Sequence, residues 1–306
     1  MIVVGCENLI DLIQQPSGHF AAIAGGSPYN TARAAARQGQ PTGYLTPISN
    51  DRFGDILAQT FEADGGVLLS PRAAAPCSLA IVTLSNGQPA YQFYREGTAE
   101  RAVTGNSLVA ALPDGARILS VGSLALSGLH DGPAWAACFK VAKARGLFCA
   151  IDPNIRPAFI ADEPAFRARL TAMLDAADMV KLSDEDIGWL MPGVPVEEAA
   201  AKLAAQHRIP LLVLTLGAEG ALAFHNGTTQ RQPGIAANPL VDTVGAGDTF
   251  MGSLLAQLQE FNLDEPGALA ALSAERLAAI LHRAAKAAAI NCTREGCNPP
   301  LLAELA

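Results

Sequence analysis

Short β-branched and aliphatic runs alternate with Ala-rich helical stretches along most of this chain. That alternation restricts it to parallel strands joined by crossover helices. Residues 118–123, 147–152, 179–182 and 211–216 each read as a buried strand. Residues 133–145, 164–176 and 196–206 carry helical periodicity, and the last opens on Glu197 and Glu198, acids suited to a helix N-terminus. Two more helices are expected over 248–259 and 274–290, the second amphipathic. The opening residues 1–7 read as a buried strand and not as a secretory signal. The predicted class is therefore α/β, with a mostly parallel central sheet covered on both faces.

Half of the positions are apolar and 16% are charged, so the 306 residues can bury a core large enough to need no disulfides. The length alone allows one large unit or two domains. A net charge of −8, with no stripe of Lys or Arg, argues against binding long nucleic acid. Small anions remain accessible, because backbone amides and helix ends bind phosphate without net positive charge. No segment is long and apolar enough to span a bilayer, so no membrane partner is expected. The six cysteines form no Cys-x-x-Cys pair and read as reduced thiols of a cytoplasmic protein, with Cys292 and Cys297 as packing residues. The five histidines lack metal-ligand spacing, and no structural metal is predicted.

Residues 76–103 depart from the βα rhythm. Residues 78–84 and 90–95 read as two strands around an Asn86-Gly87 turn, a hairpin with no helix of its own. Such a hairpin lies across a cleft, pairs with another subunit, or does both. No linker, repeat or low-complexity tract divides the chain.

The stretch Asp242-Thr243-Val244-Gly245-Ala246-Gly247-Asp248 carries the chemistry. Gly245, Ala246 and Gly247 have almost no side chain and a helical run follows at once, so their N–H groups can converge on an anion cradle. Asp248 sits in the first turn, where the helix dipole favours a carboxylate although a bound phosphate is repelled. An acid so placed suits a group that takes the proton from an attacking hydroxyl. Read alone, the stretch also fits a plain Gly-rich turn with an acidic helix start. There is no Gly-Lys-Ser/Thr triplet of a P-loop, and the third glycine of a dinucleotide fingerprint is missing.

These residues resemble the ribokinase-like sugar kinases, also called the phosphofructokinase B type. Residues 242–248 match the family's C-terminal signature, and Gly25-Gly26-Ser27-Pro28-Tyr29-Asn30-Thr31-Ala32 resembles its N-terminal one, in the family's order, with further matches between. The resemblance implies a three-layer α/β/α ribokinase-like fold. It implies one domain over 1–306 with a small β-strand lid built from segments near 11–23 and 76–103. It further implies an ATP-dependent kinase acting on a sugar hydroxymethyl group, with Asp248 as catalytic base and the amides of Gly245, Ala246 and Gly247 as anion hole. Asp11, Gly26 and Asn30 would hold the sugar. Their chemistry suits hydroxyls: Asp11 after the first strand, Gly25 and Gly26 for close approach to the backbone, and an amide that both donates and accepts. Read alone, Asn30 fits a helix cap better. Where the family usually has Gly before the first acidic residue, this chain has Cys6 before Glu7.

Phe93-Tyr94-Arg95 is similar to the lid segment of fructokinase-type members, which would send Arg95 into the cleft. Read alone, it is an exposed arginine paired with Glu96 or Glu100. Asp152-Pro153-Asn154-Ile155-Arg156 follows a buried strand, where open α/β sheets place ligands, and resembles a segment of fructokinase and 2-keto-3-deoxygluconate kinase relatives. Asp152, Asn154 and Arg156 are accordingly candidate substrate contacts, with a surface ion pair as the plain alternative for Arg156. Residues 181–186 correspond to a family segment that often reads Asn-x-x-Glu and organises magnesium through water. Here Asp186 or Glu185 would serve, or the acids simply start a helix. By resemblance Thr215, Gly217 and Gly220 border the nucleotide, Asn291 contacts adenine, and Asp242 and Thr243 form a potassium site. The cofactors implied are ATP and Mg²⁺, with K⁺ beside them, and the implied assembly is a homodimer through the lid.

Fructose is the first substrate expected, from the lid and the 152–156 match, with 2-keto-3-deoxygluconate as the alternative and ribose or nucleosides behind both. A different class of reading is a sugar-binding regulator that has lost turnover. A nicotinamide oxidoreductase lacks its fingerprint.

Overall fold

A computed structural model describes residues 1–15, 17–85 and 88–306, with the backbone alone at 84, 85 and 88–91. The chain opens with β1 (Ile2–Val4), β2 (Leu9–Gln14) and β3 (Phe20–Gly25), then α1 (Ser27–Arg37), β4 (Thr42–Tyr44), α2 (Arg52–Ala63) and β5 (Val67–Leu68). Strands β6 (Leu79–Ser85) and β7 (Gln88–Tyr94) interrupt, and α3 (Gly105–Ala111) leads back. Alternation then resumes with β8 (Ile118–Gly122), α4 (Leu124–Ser127), α5 (Asp131–Ala144), β9 (Phe148–Asp152), α6 (Glu163–Leu174) and β10 (Met179–Ser183). It continues through α7 (Asp184–Leu190), α8 (Val196–Gln206), β11 (Leu211–Thr215), β12 (Gly220–His225) and β13 (Thr228–Pro233) to α9 (Ala246–Glu260) and α10 (Ala274–Asn291). The strands and helices expected beyond residue 117 all form, with ends within two residues of prediction.

Among the described residues nine strands make the main sheet, in the order β13-β12-β11-β10-β9-β8-β1-β4-β5. The β11/β12 and β12/β13 pairs are antiparallel, whereas the other neighbours run parallel. Successive strand side chains point to opposite faces, so each buried strand feeds two cores. Ile118, Phe148, Ala150, Met179, Leu211 and Val213 pack with Leu254 and Leu255 of α9 and Ile280 and Leu281 of α10. Their neighbours Leu119, Cys149, Ile151, Val180, Leu212 and Leu214 pack with Trp135, Phe139, Phe166 and Leu203 on the other face. The result is the three-layer α/β/α arrangement with its mostly parallel sheet.

On the first face α1 and α9 come into backbone contact. A Cβ added at Gly252 of α9 would lie 2.5 Å from the Thr31 carbonyl oxygen and 2.5 Å from the Ala34 methyl group. Only a residue without a side chain lets the two helix N-termini meet this closely.

The interrupting hairpin does not stand alone. Among the described residues a second sheet has the order β3-β2-β6-β7, with β6 parallel to β2 and the β2/β3 and β6/β7 pairs antiparallel. Asp11 therefore lies inside β2, in this small sheet. The turn expected at Asn86-Gly87 falls outside the described residues. Cys6 adopts φ 98°, a glycine-like conformation. Its amide donates to Thr46 Oγ1 at 2.9 Å, and its carbonyl accepts from Tyr44 Oη at 3.0 Å. The backbone path that a glycine would give is thus kept by hydrogen bonds.

Candidate active site

Two cavities meet at the N-terminus of α9. One, about 550 Å³, is walled by Glu7, Leu9 and Asp11, by Gly26, Ser27 and Asn30 at the start of α1, and by Asn154, Arg156, Lys181, Glu185 and the 243–248 loop. The other, about 630 Å³, has largely apolar walls, among them Ile235, Leu240, Phe250, Ala285, Ala288 and Ala289, together with Thr215, Gly217 and Gly220. Thr215, Thr243, Ala246 and Gly247 face both. Their position beyond the carboxyl ends of β9, β10 and β11 is where an open α/β sheet leaves a crevice.

Gly245 caps α9 at φ 74°, and a Cβ there would sit 2.3 Å from the Cys297 sulfur, so the turn accepts glycine alone. The Ala246 N–H donates to the Thr243 carbonyl at 3.2 Å. Gly247 and Asp248 supply the next first-turn amides, which no helical carbonyl can satisfy. Of the predicted Gly245–Gly247 trio, the Ala246 N–H is thus engaged within its own loop.

Asp248 is held from both sides. Ser27 Oγ donates to its Oδ1 at 2.7 Å, and Asn30 Nδ2 donates to its Oδ2 at 2.9 Å. Desolvation pushes its pKa above the ordinary carboxylate value, against the opposing pull of Asn30, Ser27, Lys181 and Arg156. Asn30 is inside α1 and its side chain does not cap that helix; Gly26, at φ 107°, occupies the cap. The Asn30 Oδ1 is buried with no partner, an acceptor still to be used. Ser27 escaped the sequence reading, although its hydroxyl sits one residue past the glycine pair.

Asp11 borders the same cavity, and burial together with the charge of Asp248 pushes its pKa up to about 6. Gly25 serves Asp11 and not a ligand, since a Cβ there would lie 2.2 Å from Asp11 Oδ2. Gly26 does face the cavity, and its missing Cβ makes room for the Glu7 carbonyl at 2.8 Å.

Four expectations are corrected. Arg95 does not line this cavity: its Nε and Nη2 donate to Glu100 at 2.8 and 3.1 Å, and Asp131 lies 3.7 Å away. Two buried carboxylates hold a guanidinium more firmly than an empty cleft can. Asp152 is also turned inward, where its Oδ2 accepts from Lys181 Nζ at 2.8 Å. Asp186 spends one oxygen on the Ile155 N–H at 2.6 Å and the other on Ser183, in a reciprocal cap of α7. Both oxygens are thus engaged in a side chain that is buried and does not line the cavity, and Glu185, exposed beside the cavity, is the remaining acid of the pair. Asn291 is fully buried, donates to the Val244 carbonyl at 2.8 Å and accepts from the Asn298 N–H at 2.8 Å. Its amide braces the 243–248 loop and lines neither cavity, so it does not reach a base.

Asn154 and Arg156 do wall the cavity, and the Arg156 charge reaches Asp248. Asp242 accepts from the Val244 and Gly296 amides at 3.0 and 2.9 Å and so folds the loop that Thr243 carries to the shared wall. Thr215, Gly217 and Gly220, the residues the resemblance sets beside a nucleotide, line the second cavity. Its Ala285–Ala289 wall was unrecognised, because alanines on an amphipathic helix read as packing.

Burial also pushes Glu7 up to about 7 and Asp152 up to about 6, each against the pull of a cation, Arg95 and Lys181 respectively. With Asp11, these three carboxyls bind protons more tightly in the folded chain than in the unfolded one, so stability falls as pH rises through 6 to 7. The melting temperature of the ligand-free protein is expected to drop by about 2 °C between pH 6 and 7.5. Differential scanning calorimetry showing a flat or rising profile over that interval would contradict these assignments.

The pfkB family carbohydrate kinase model matches residues 4–304. A fructokinase of Rhizobium leguminosarum bv. trifolii is 38% identical over 284 residues, covering 90% of this chain and 85% of that protein. The crystal structure of a fructokinase from Xylella fastidiosa with bound ATP superposes with a TM-score of 0.86 at 27% identity, covering 99% and 96% of the two chains. That of a fructokinase from Vibrio cholerae O395 with fructose, ADP and calcium gives 0.82 at 26% identity, covering 97% and 94%.

Proposed function

Because the chain belongs to the pfkB family of carbohydrate kinases, we propose that it transfers the γ-phosphoryl group of ATP to a hydroxymethyl oxygen of fructose. The observation that carries this reading is the placement of Asp248. It is a desolvated carboxylate gripped by Ser27 and Asn30 in the first turn of α9, on the wall of the polar cavity and next to Gly247, which faces the apolar one as well. ATP is assigned to the apolar cavity with its phosphates toward Gly247, and the sugar to the polar one. Asp248 orients the attacking hydroxyl and accepts its proton as the O–P bond forms, while the first-turn amides receive the phosphoryl oxygens. Asp11 and the free Asn30 Oδ1 accept from other sugar hydroxyls. Closure of the small sheet over them excludes water.

The donor chemistry at the phosphate end fits Mg²⁺ held through one carboxylate and water, with Glu185 as the protein group. When bound, the ion neutralises charge on the ATP phosphates. Asp242 and Thr243 are assigned to K⁺.

The cavity's charges favour a neutral sugar over a sugar acid. With Arg95 committed to Glu100, the cations facing the cavity are Arg156 and Lys181, the latter paired with Asp152, and Asp11, Glu7 and Asp248 outnumber them against a carboxylate. In a coupled ADP-release assay, fructose is expected to exceed 2-keto-3-deoxygluconate, ribose and nucleosides in kcat/KM by at least about tenfold. A higher value for the sugar acid would replace fructose as the substrate, and sugar binding with no ADP release would mark a regulator.

A homodimer through the small sheet is the assembly proposed, supported by the open edge of β3 and the half-exposed Phe20 on it. Sedimentation at twice the chain mass is expected, and a monomer at working concentration refutes it. Six free, buried thiols support a reducing compartment, the cytoplasm.

A further inference from the structure

Lys181 is the cation of the cleft that the reading above leaves without a task. It lies on β10 two residues after Met179, whose side chain packs in the core beneath α9, so a charge stands where the strand's alternation calls for an apolar residue. Its side chain is 5% exposed and borders the polar cavity. Among the described residues its hydrogen-bond partner is Asp152 Oδ2, at 2.8 Å. An ammonium has three donors, and two are left in a desolvated place where unmet donors are costly.

Its location is fixed by Gly247. A Cβ there would come within 3.2 Å of Lys181 Nζ, so the ammonium lies against the first turn of α9. That turn carries the positive end of the helix dipole, and two positive groups so close repel each other unless an anion lies between them. Burial lowers the lysine's affinity for its proton, but Asp152, with Asp186 and Asp248, more than offsets this and raises its pKa above the usual lysine value. The group therefore stays charged across the working pH range.

We propose that Lys181 is a catalytic residue that holds the phosphoryl group in transit, through its two free donors and opposite the first-turn amides of α9, with Asp152 as its positioning residue. This rests on the kinase reading. The sugar oxygen forms a bond to the γ-phosphorus, and the bond from that phosphorus to the β,γ-bridging oxygen breaks. ADP leaves with the electron pair, and the hydroxyl proton passes to Asp248. Lys181 keeps its protons throughout and stabilises charge on the non-bridging oxygens, where a preorganised cation contributes most. Asp152 offsets the cost of burying that cation and aims it.

The test compares wild type with Lys181→Met and Asp152→Asn in steady-state kinetics, and in titrations with ADP alone and with ADP plus aluminium fluoride, a planar phosphoryl mimic, at saturating fructose. Lys181→Met should lower kcat by about 10²- to 10³-fold with both KM values within about threefold. ADP affinity should hold, while the tightening that aluminium fluoride gives wild type disappears. Asp152→Asn should show the same split in kcat and KM to a smaller degree and lose part of the tightening. If Lys181→Met does not fold, Lys181→Gln, which keeps a donor for Asp152 without the charge, carries the same thresholds. A neutral variant with kcat within fivefold of wild type, or with the tightening retained, overturns the role of the lysine alone. A wild-type enzyme that releases no ADP with any sugar overturns the kinase reading and this proposal together.

Discussion

Replacing Asp248 by Asn is expected to lower kcat by about 10³- to 10⁴-fold while ATP affinity stays within about threefold. The substitution keeps the shape of the side chain and leaves an oxygen and an amide nitrogen where two oxygens accept from Ser27 and Asn30. Asn30 Nδ2 can donate to that oxygen while the Ser27 hydroxyl turns to accept from the new amide nitrogen, so the side chain keeps its place and the attacking hydroxyl loses its proton acceptor. General-base removal by itself accounts for about 10²- to 10⁴-fold, which covers the expected drop. ATP affinity is spared because the apolar cavity does not use the carboxylate. Steady-state turnover, paired with a fluorescence titration of nucleotide, separates the two effects. Turnover within tenfold of wild type would remove Asp248 from the base role.

Gly252→Val is the second large expected effect, far along α9 from the reacting atoms. Its side chain would start 2.5 Å from the Thr31 carbonyl, which is rigid backbone. The helices must part, at a cost of about 3 kcal/mol, a fall in melting temperature of about 5 °C. The Ser27 and Asn30 donors belong to the same helix as Thr31, so parting the helices stretches both bonds to Asp248. A drop in kcat of about tenfold or more is expected beyond the stability loss. Gly188→Ala in α7 is the matched control: nothing lies within 4 Å of its added Cβ, and the change should leave stability equal or slightly higher. Full activity in Gly252→Val at a temperature where it is folded would disconnect helix contact from base position.

The βα rhythm was legible because strands buried on both faces are apolar throughout, and residues such as Leu211 to Leu214 admit no other reading. The 242–248 stretch was legible for a related reason, since Gly245 has no substitute at its φ. What escaped depended on which partner each side chain meets in the fold. Arg95 read alone pairs with Glu96 or Glu100, and the structure shows the Glu100 pair with Asp131 beside it, where the resemblance had sent the side chain into the cleft. Asn291 and Asp186 read as ligands until their two ends are found occupied by Val244 and Asn298, and by Ser183 and Ile155. Lys181 could have been found, because a lone lysine in step with Met179 on a buried strand is anomalous without a carboxylate. Its partner Asp152 was already marked, at the end of the neighbouring strand.

The two cavities divide the chain by order. Among the described residues every wall residue of the apolar one falls from Thr215 to Cys292, whereas the polar one takes Glu7 to Glu185 for most of its walls and shares Thr215, Thr243, Ala246 and Gly247. Acceptor preference and nucleotide use are therefore inherited from separate stretches of coding sequence. Drift or recombination within the first stretch can retarget the enzyme to a new sugar while the phosphoryl donor stays the same.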